Sequence, residues 1–495
     1  MSLASGILHL HSAARADNND VDQAGKIPER SIPALHPTLK INGIAMLTIL
    51  GKSGRYCDGI SRRSFLAIGG LTFGVGGFGL ADLLRAESKQ TGSKAGLGHK
   101  AVINIFLAGG PPHQDMWEIK TQAPSEIRGE FSPIPTKVAG IQICEVFPQL
   151  ARLMDKAAVI RSVVGCKDRH ESFQCMTGWL TEDLRPLGGR PSIGAALTKL
   201  RGPVDPSVPT NICLAAKTQH GPWSDAGTSG FLGSAYSPFK PDGPGMDNMK
   251  LNGISLERLQ DRRQLLTSVD TLRRDIDAKG TMQGMDAFGQ RALDVLTSSK
   301  LLDALDLSKE DPKIVARYGD GKPYKYQYDG APTCNDHLLI ARRLVEAGAR
   351  CVSLSFGRWD SHGQNFDLVR DHGGKLDQCL SALIEDLDQR GILDDVSIVV
   401  WGEFGRTPKI NNGAGRDHWS NVSCAFLAGG GIRAGQAIGA TNRLGEHATE
   451  RPVHMQEITA TLYHNLGIDT SKTTLIDPTG RPQYLVDHAP IAELI

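Results

Sequence analysis

Apolar runs and helical stripes alternate along the chain from residue 100 onward. Ala101-Val102-Ile103-Asn104-Ile105-Phe106-Leu107 is nearly continuous in apolar side chains and stops at Gly109-Gly110-Pro111-Pro112. A short run of this kind, bounded by turn residues, predicts a strand buried on both faces, as in a parallel sheet. The pattern continues with a helix over 150–154, a strand over 157–163 and a weaker strand over 211–214. Residues 254–306 are charged with a helical pattern and no strand signal, which predicts an inserted helical segment. The alternation then resumes. A helix over 338–347 ends at Gly348, a strand covers 351–356, and Leu376, Leu380, Leu383 and Leu387 mark one face of a further helix. Strands over 396–401 and 424–428 and a last helix over 458–466 complete the series. Strands alternating with helices imply right-handed crossovers, hence an α/β fold with a mostly parallel sheet and helices on both faces.

The N-terminal part reads differently. Ser61-Arg62-Arg63-Ser64-Phe65-Leu66 opens a Gly-rich apolar stretch running to Leu80. At about 16 residues it is shorter than the ~20 that cross a bilayer, so no stable transmembrane span is expected. A charged segment followed by a short apolar one is a targeting signal, and the paired arginines before Phe-Leu resemble the twin-arginine type. Residues 1–60 are then a long unstructured leader, 61–87 the signal segment and 98–490 the folded domain. The twin-arginine translocase is the implied partner, and the periplasm or cell envelope the implied location. Composition agrees with a globular domain: 55 Lys+Arg against 54 Asp+Glu leave a net charge of +1, which excludes a nucleic-acid binder held by bulk charge. The nine cysteines contain no CxxC pair, so neither a disulfide framework nor a zinc ribbon is indicated.

Ligands of open α/β sheets bind beyond the carboxyl ends of the strands. The predicted strand ends carry His113 and Asp115 after the first, Asp168 and His170 after the second, and Asp360 and His362 after the 351–356 strand. Glu403 and Arg406 follow the 396–401 strand, and Asp417 and His418 lie in the loop beyond. Any one of these alone is ordinarily a cap, an ion pair or a solvated histidine. Four such clusters at strand ends point to a metal or anion site. Carboxylates and imidazoles without thiolate select Zn, Mn, Fe, Mg or Ca. Arg406 and Lys409 beside Glu403 suit an anionic group, a surface salt bridge being the plainer alternative. There is no GxSxG elbow, Walker A loop or HExxH helix.

The segments Ala108-Gly109-Gly110-Pro111-Pro112-His113-Gln114-Asp115, Trp359-Asp360-Ser361-His362-Gly363, Gly402-Glu403-Phe404-Gly405-Arg406-Thr407-Pro408 and Gly415-Arg416-Asp417-His418-Trp419 together resemble the domain-of-unknown-function 1501 family. That family is grouped with alkaline-phosphatase-like and sulfatase-like proteins. The resemblance implies an alkaline-phosphatase-like sheet and one or two divalent ions. It places Asp115, Asp360, His362, Glu403 and His418 as metal-site positions, and His113 and Asp417, in the same strand-end clusters, complete the candidate metal ligands. Phe404 stands where a two-metal enzyme has a histidine, and the Cys-x-Pro-x-Arg motif of formylglycine sulfatases is missing. Ser172 and Thr177, after the second strand, are the hydroxyl candidates for a nucleophile, and His170 and Arg406 the groups for acid catalysis or charge stabilisation.

The expected function is metal-dependent hydrolysis of phosphate or sulfate esters, either small anionic esters or a sulfated or phosphorylated polysaccharide. The alternative is a non-catalytic exported binding or scaffold protein that keeps the fold. A phosphomutase-like transferase is a third class, but it would need a marked Ser or Thr.

Overall fold

The computed structural model describes residues 96–224, 227–241, 299–319 and 330–495. The leader, the signal segment and most of 254–306 lie outside them; of the last, Ser299–Leu305 is helical.

The central sheet contains β1 (Ala101–Phe106), β2 (Ala157–Val164), β3 (Asn211–Cys213), β4 (Cys351–Ser355), β5 (Val396–Trp401), β6 (Ser423–Gly429), β7 (Gln436–Ile438) and β8 (Val453–His454). Its order is β7-β2-β6-β5-β1-β4-β3, with β8 pairing alongside β2. β1 runs parallel to both β4 and β5, β3 parallel to β4, and β7 and β8 parallel to β2. Only β6 is reversed, lying antiparallel between β2 and β5. The sheet is therefore α/β and mostly parallel. β7 and β8, which are too short and too polar to register as apolar runs, extend its edge.

The sheet separates two apolar layers. Ile103 and Ile105 of β1 join Ile398 and Val400 of β5 on one side, while Val102 and Phe106 join Val399 and Trp401 on the other. This is the two-residue alternation of a strand covered on both faces. Helices α2 (Asn335–Ala347) and α3 (Asn365–Gln389) cover the first side, and α1 (Ile193–Arg201) and α4 (Met455–Asn465) the second. Asn104, the one polar residue in β1, donates to the Cys175 carbonyl and accepts from Trp401 Nε1, so its burial leaves no orphan group. Among the described residues no helix is long and apolar enough to cross a membrane.

Helix α3 starts well before the Leu376–Leu387 stripe and runs 25 residues through Gly373 and Gly374. A pair of glycines weakens the helical signal in sequence, but packing requires the first of them. A Cβ at Gly373 would lie 2.7 Å from Val146 Cγ1 and 3.2 Å from the Phe147 ring, whereas at exposed Gly374 it would meet nothing within 4 Å. Gly373→Ala is therefore expected to destabilise the fold by about 1–3 kcal/mol through overpacking. Gly374→Ala should stabilise it by about 0.5–1 kcal/mol through helix propensity. Denaturant midpoints of the two variants check the opposite signs.

Candidate metal centre

All the parallel strands present their carboxyl ends to one edge, and reversed β6 returns to that edge by its amino end. The β5–β6 connection therefore stays at the edge. Within it Gly405-Arg406 pairs antiparallel with His418-Trp419, in a register that sets His418 opposite Arg406. The 411–416 turn is clipped onto the loop after β4: Arg416 N donates to the Ser361 carbonyl and Gln364 N to that of Gly413. Those backbone bonds bring His362 and Asp417 together.

Asp360 lies at the centre of the group. Its Oδ1 is 3.4 Å from His170 Nε2, 3.1 Å from His362 Nε2 and 3.4 Å from His418 Nε2. His362 and His418 face one another through their Nε2 atoms at 3.0 Å. One ligand atom from each of these four residues lies within 4.8 Å of all the others. Four donors about 2.0–2.1 Å from a tetrahedral ion stand about 3.3–3.4 Å apart, so these separations fit a first-row ion.

The far side of each imidazole has its own carboxylate. His170 Nδ1 meets Glu403 Oε1 at 3.3 Å, His362 Nδ1 meets Asp417 Oδ1 at 2.7 Å, and His418 Nδ1 meets Asp168. With Nδ1–H donating outward, each Nε2 turns its lone pair toward Asp360, the arrangement that orients imidazoles toward a metal. Without an ion those lone pairs need protons. Burial would lower the His170 pKa, but its bonds to Asp360 and Glu403 outweigh this and raise it to about 9. Burial would likewise raise the pKa of Asp360. The hydrogen bonds from His170 and His418 and the charge of Arg406 reverse that and hold it far below the ordinary carboxylate range. The donor set thus fits a divalent cation taking the place of protons.

Glu403 is fully buried and held by N–H donors rather than turned to the group's centre. It accepts from Gly109 N at 2.8 Å, Gly110 N at 3.2 Å and Trp223 Nε1 at 3.2 Å. This cradle needs the two glycines: both have positive φ, and a Cβ would strike Asp360 N at Gly109 and the Phe404 ring at Gly110. Phe404 is buried against the His170 and His418 rings, with centroids 5.2 and 4.7 Å away, so an apolar ring occupies the space beside the imidazoles.

The remaining predicted residues are not among the four donors. Asp115 is buried beneath Arg416, with contacts of 2.6 and 2.9 Å, and accepts from Asn365. Asp115 is therefore half of an internal ion pair. His113 is buried and meets the Gly445 carbonyl at 2.9 Å; burial pushes its pKa down to about 3 and keeps it neutral. Arg406 is fully buried, donating to the carbonyls of Gly109, Gly110 and Arg416 and to Asp360 Oδ1 at 2.6 Å. Its guanidinium is a clamp on the loop after β1. Thr177 Oγ1 donates to the Phe173 carbonyl and accepts from Trp179 N, which commits it to its own turn. Ser172 precedes the short helix Phe173–Thr177 and lines a cleft of about 330 Å³ with Phe173, Met176 and Thr181. Asp168 and His170 shared one segment in the sequence, but nothing there separated the residue facing the centre from the one behind a histidine. Trp223 carried no sequence signal, since it lies on a short 3-10 turn without periodicity.

The chain belongs to the family described as Protein of unknown function (DUF1501), whose model matches residues 99–495. No curated protein matches it. Similar solved structures include Ps i-CgsB in complex with k-i-k-neocarrahexaose, at 12% identity and TM-score 0.33 over 75% of this chain and 72% of that one. The PsFucS1 sulfatase from Pseudoalteromonas sp. has 13% identity and TM-score 0.34 over 80% and 72%. The phosphonate monoester hydrolase SpPMH from Silicibacter pomeroyi has 11% and 0.32 over 75% and 73%.

The separation of Asp115 from the donor group predicts distinct mutant phenotypes. Asp115→Ala leaves Arg416 buried without its counter-ion and should lower unfolding free energy by about 3–5 kcal/mol. Its metal content, measured by mass spectrometry on the folded fraction, should stay within twofold of the parent. Loss of metal from Asp115→Ala with unchanged stability would make Asp115 a ligand instead.

Proposed function

We propose that this protein is a metal-dependent hydrolase of phosphate or sulfate esters that works with a single ion, exported by the twin-arginine route to the periplasm or cell envelope. The observation that carries this reading is the convergence of three imidazole Nε2 atoms on Asp360 Oδ1 at tetrahedral spacing, each imidazole backed by a separate carboxylate. Three nitrogens and one carboxylate oxygen suit Zn, Fe or Mn better than Mg or Ca. A single ion is favoured because Glu403 is consumed by backbone and indole N–H groups and Phe404 fills the neighbouring space. When bound, such an ion supplies Lewis acidity toward an ester oxygen and lowers the pKa of coordinated water.

The chain's own residues have separate tasks in this reading. Asp360, His170, His362 and His418 hold the ion. Glu403, Asp417 and Asp168 fix the imidazole tautomers and raise their basicity. Arg406 keeps Asp360 ionised and aimed by bonding to it while locked onto the Gly109 and Gly110 carbonyls. With the Thr177 hydroxyl committed within its turn, water and the Ser172 hydroxyl are the attacking groups left in this reading. The substrate is a small anionic ester or a sulfated or phosphorylated polysaccharide.

One observation favours the non-catalytic alternative. Four protein donors fill a tetrahedral shell, as in closed structural sites, whereas catalytic sites keep a position open. Hydrolysis would require the ion to accept a fifth ligand.

The two readings make different predictions. In protein exported by its own host, one divalent ion per chain is expected, and Asp360→Ala and His418→Ala should each remove it. Under the hydrolase reading, ester cleavage above background by the parent disappears in both variants. Stoichiometric metal with no hydrolysis across a phosphate- and sulfate-ester panel would leave the binding or scaffold role. A milder change, Asp168→Asn, should weaken metal affinity about 10–100-fold by removing the carboxylate behind His418. Competition with a chelator of known affinity measures that loss.

A further inference from the structure

We infer that the centre is built for esters carrying one negative charge, such as sulfate monoesters and phosphodiesters, and discriminates against phosphate-monoester dianions. The inference rests on the ion-dependent hydrolase reading and takes its support from the charges joined to the four donors. The carboxylates are Asp360 itself, Glu403 behind His170, Asp417 behind His362 and Asp168 behind His418. The guanidiniums are those of Arg406 and Arg358, both on Asp360. Among these groups, four negative and two positive charges are brought to neutrality by a divalent ion, so they leave no surplus positive charge of their own to balance a dianion.

The arrangement of these charges strengthens the point. The cations lie inside: the Arg406 side chain is 0% exposed and that of Arg358 18%. Two of the four anions lie outside, since the side chains of Asp168 and Asp417 are 51% and 53% exposed, while Asp360 and Glu403 are buried. Arg169, the next residue after Asp168, is engaged by Glu182 in a half-exposed pair, and Lys167 on the other side of Asp168 is exposed. Two carboxylates therefore stand beside the donors on the solvent side, next to half-exposed His362. Each extra negative charge on the ligand adds repulsion from both, at short range and only partly screened. A monoanion pays this once and still supplies an oxygen to the ion. Rejection by placed like charge is a common route to specificity.

The test reads binding rather than turnover. The full chain is loaded with Co²⁺, and its visible absorption spectrum is titrated at pH 8 with methyl sulfate, dimethyl phosphate and methyl phosphate. At that pH the first two are monoanions and the third, with its second pKa near ~6, is a dianion. The two monoanions are expected to perturb the spectrum with dissociation constants at least tenfold below that of methyl phosphate. Asp417→Asn, loaded to the same cobalt content, should narrow the gap severalfold. Methyl phosphate binding as tightly as the monoanions, or no spectral response to any of the three, overturns the inference while cobalt uptake leaves the metal site standing. Failure to take up cobalt at all overturns the metal reading itself, and this inference with it.

Discussion

The pairing of buried Arg406 with Asp360 is the interaction on which the rest of the centre depends. Asp360 is buried, and burial by itself raises its pKa. Arg406 supplies a charge 2.6 Å from its Oδ1, and the same guanidinium is anchored to the carbonyls of Gly109 and Gly110. A charged carboxylate held in one place gives three histidines a common target. Desolvating such a pair costs several kcal/mol per ion, recovered only if the remaining lone pairs and protons are satisfied. The imidazoles on Asp360 and the carbonyls on Arg406 meet that condition, so the ion pair and the histidine cluster form one unit.

The sheet supplies the geometry for this unit. A run of parallel strands brings loops from distant parts of the chain to one edge, and reversed β6 adds a hairpin-like return to the same edge. His418 reaches the cluster because its short pairing with Arg406 sets it there, and Asp417 reaches His362 because the 411–416 turn bonds to the loop after β4. Each donor therefore comes from a loop anchored to the sheet or to another loop. The two glycines after β1 let the backbone approach Asp360 and Phe404 closely enough to turn their N–H groups onto Glu403.

In the proposed metal reading, the carboxylates behind the histidines tie the affinity for the ion to the selectivity for its ligand. They orient the imidazoles, yet they add negative charge around the ion, two of them at the solvent boundary. A centre that raised affinity with neutral carbonyls in these places would carry more net positive charge and attract dianions more strongly. In that reading, the use of carboxylates couples metal binding to a preference against highly charged ligands.

Much of the architecture was legible in the residues. Short, largely apolar runs at 101–107, 157–163, 351–356 and 396–401, bounded by turn residues, marked strands of a sheet covered on both faces. The clustering of Asp, Glu and His just after those runs marked the working edge, and Asp360, His362 and His418 stood out there. Local pattern could not separate a residue facing the centre from one facing away. Asp115 and Asp360 look alike as loop carboxylates, yet one is neutralised inside by Arg416 and the other meets three imidazoles. His170 read as an acid catalyst and lies among the donors, while Glu403 read as a ligand and lies behind His170. Such assignments depend on which loop packs over which, and hence on contacts between residues up to about 300 positions apart. Strand periodicity is a property of neighbours in sequence and can be read there; the direction of a loop side chain is decided by tertiary hydrogen bonds and belongs to the folded structure alone.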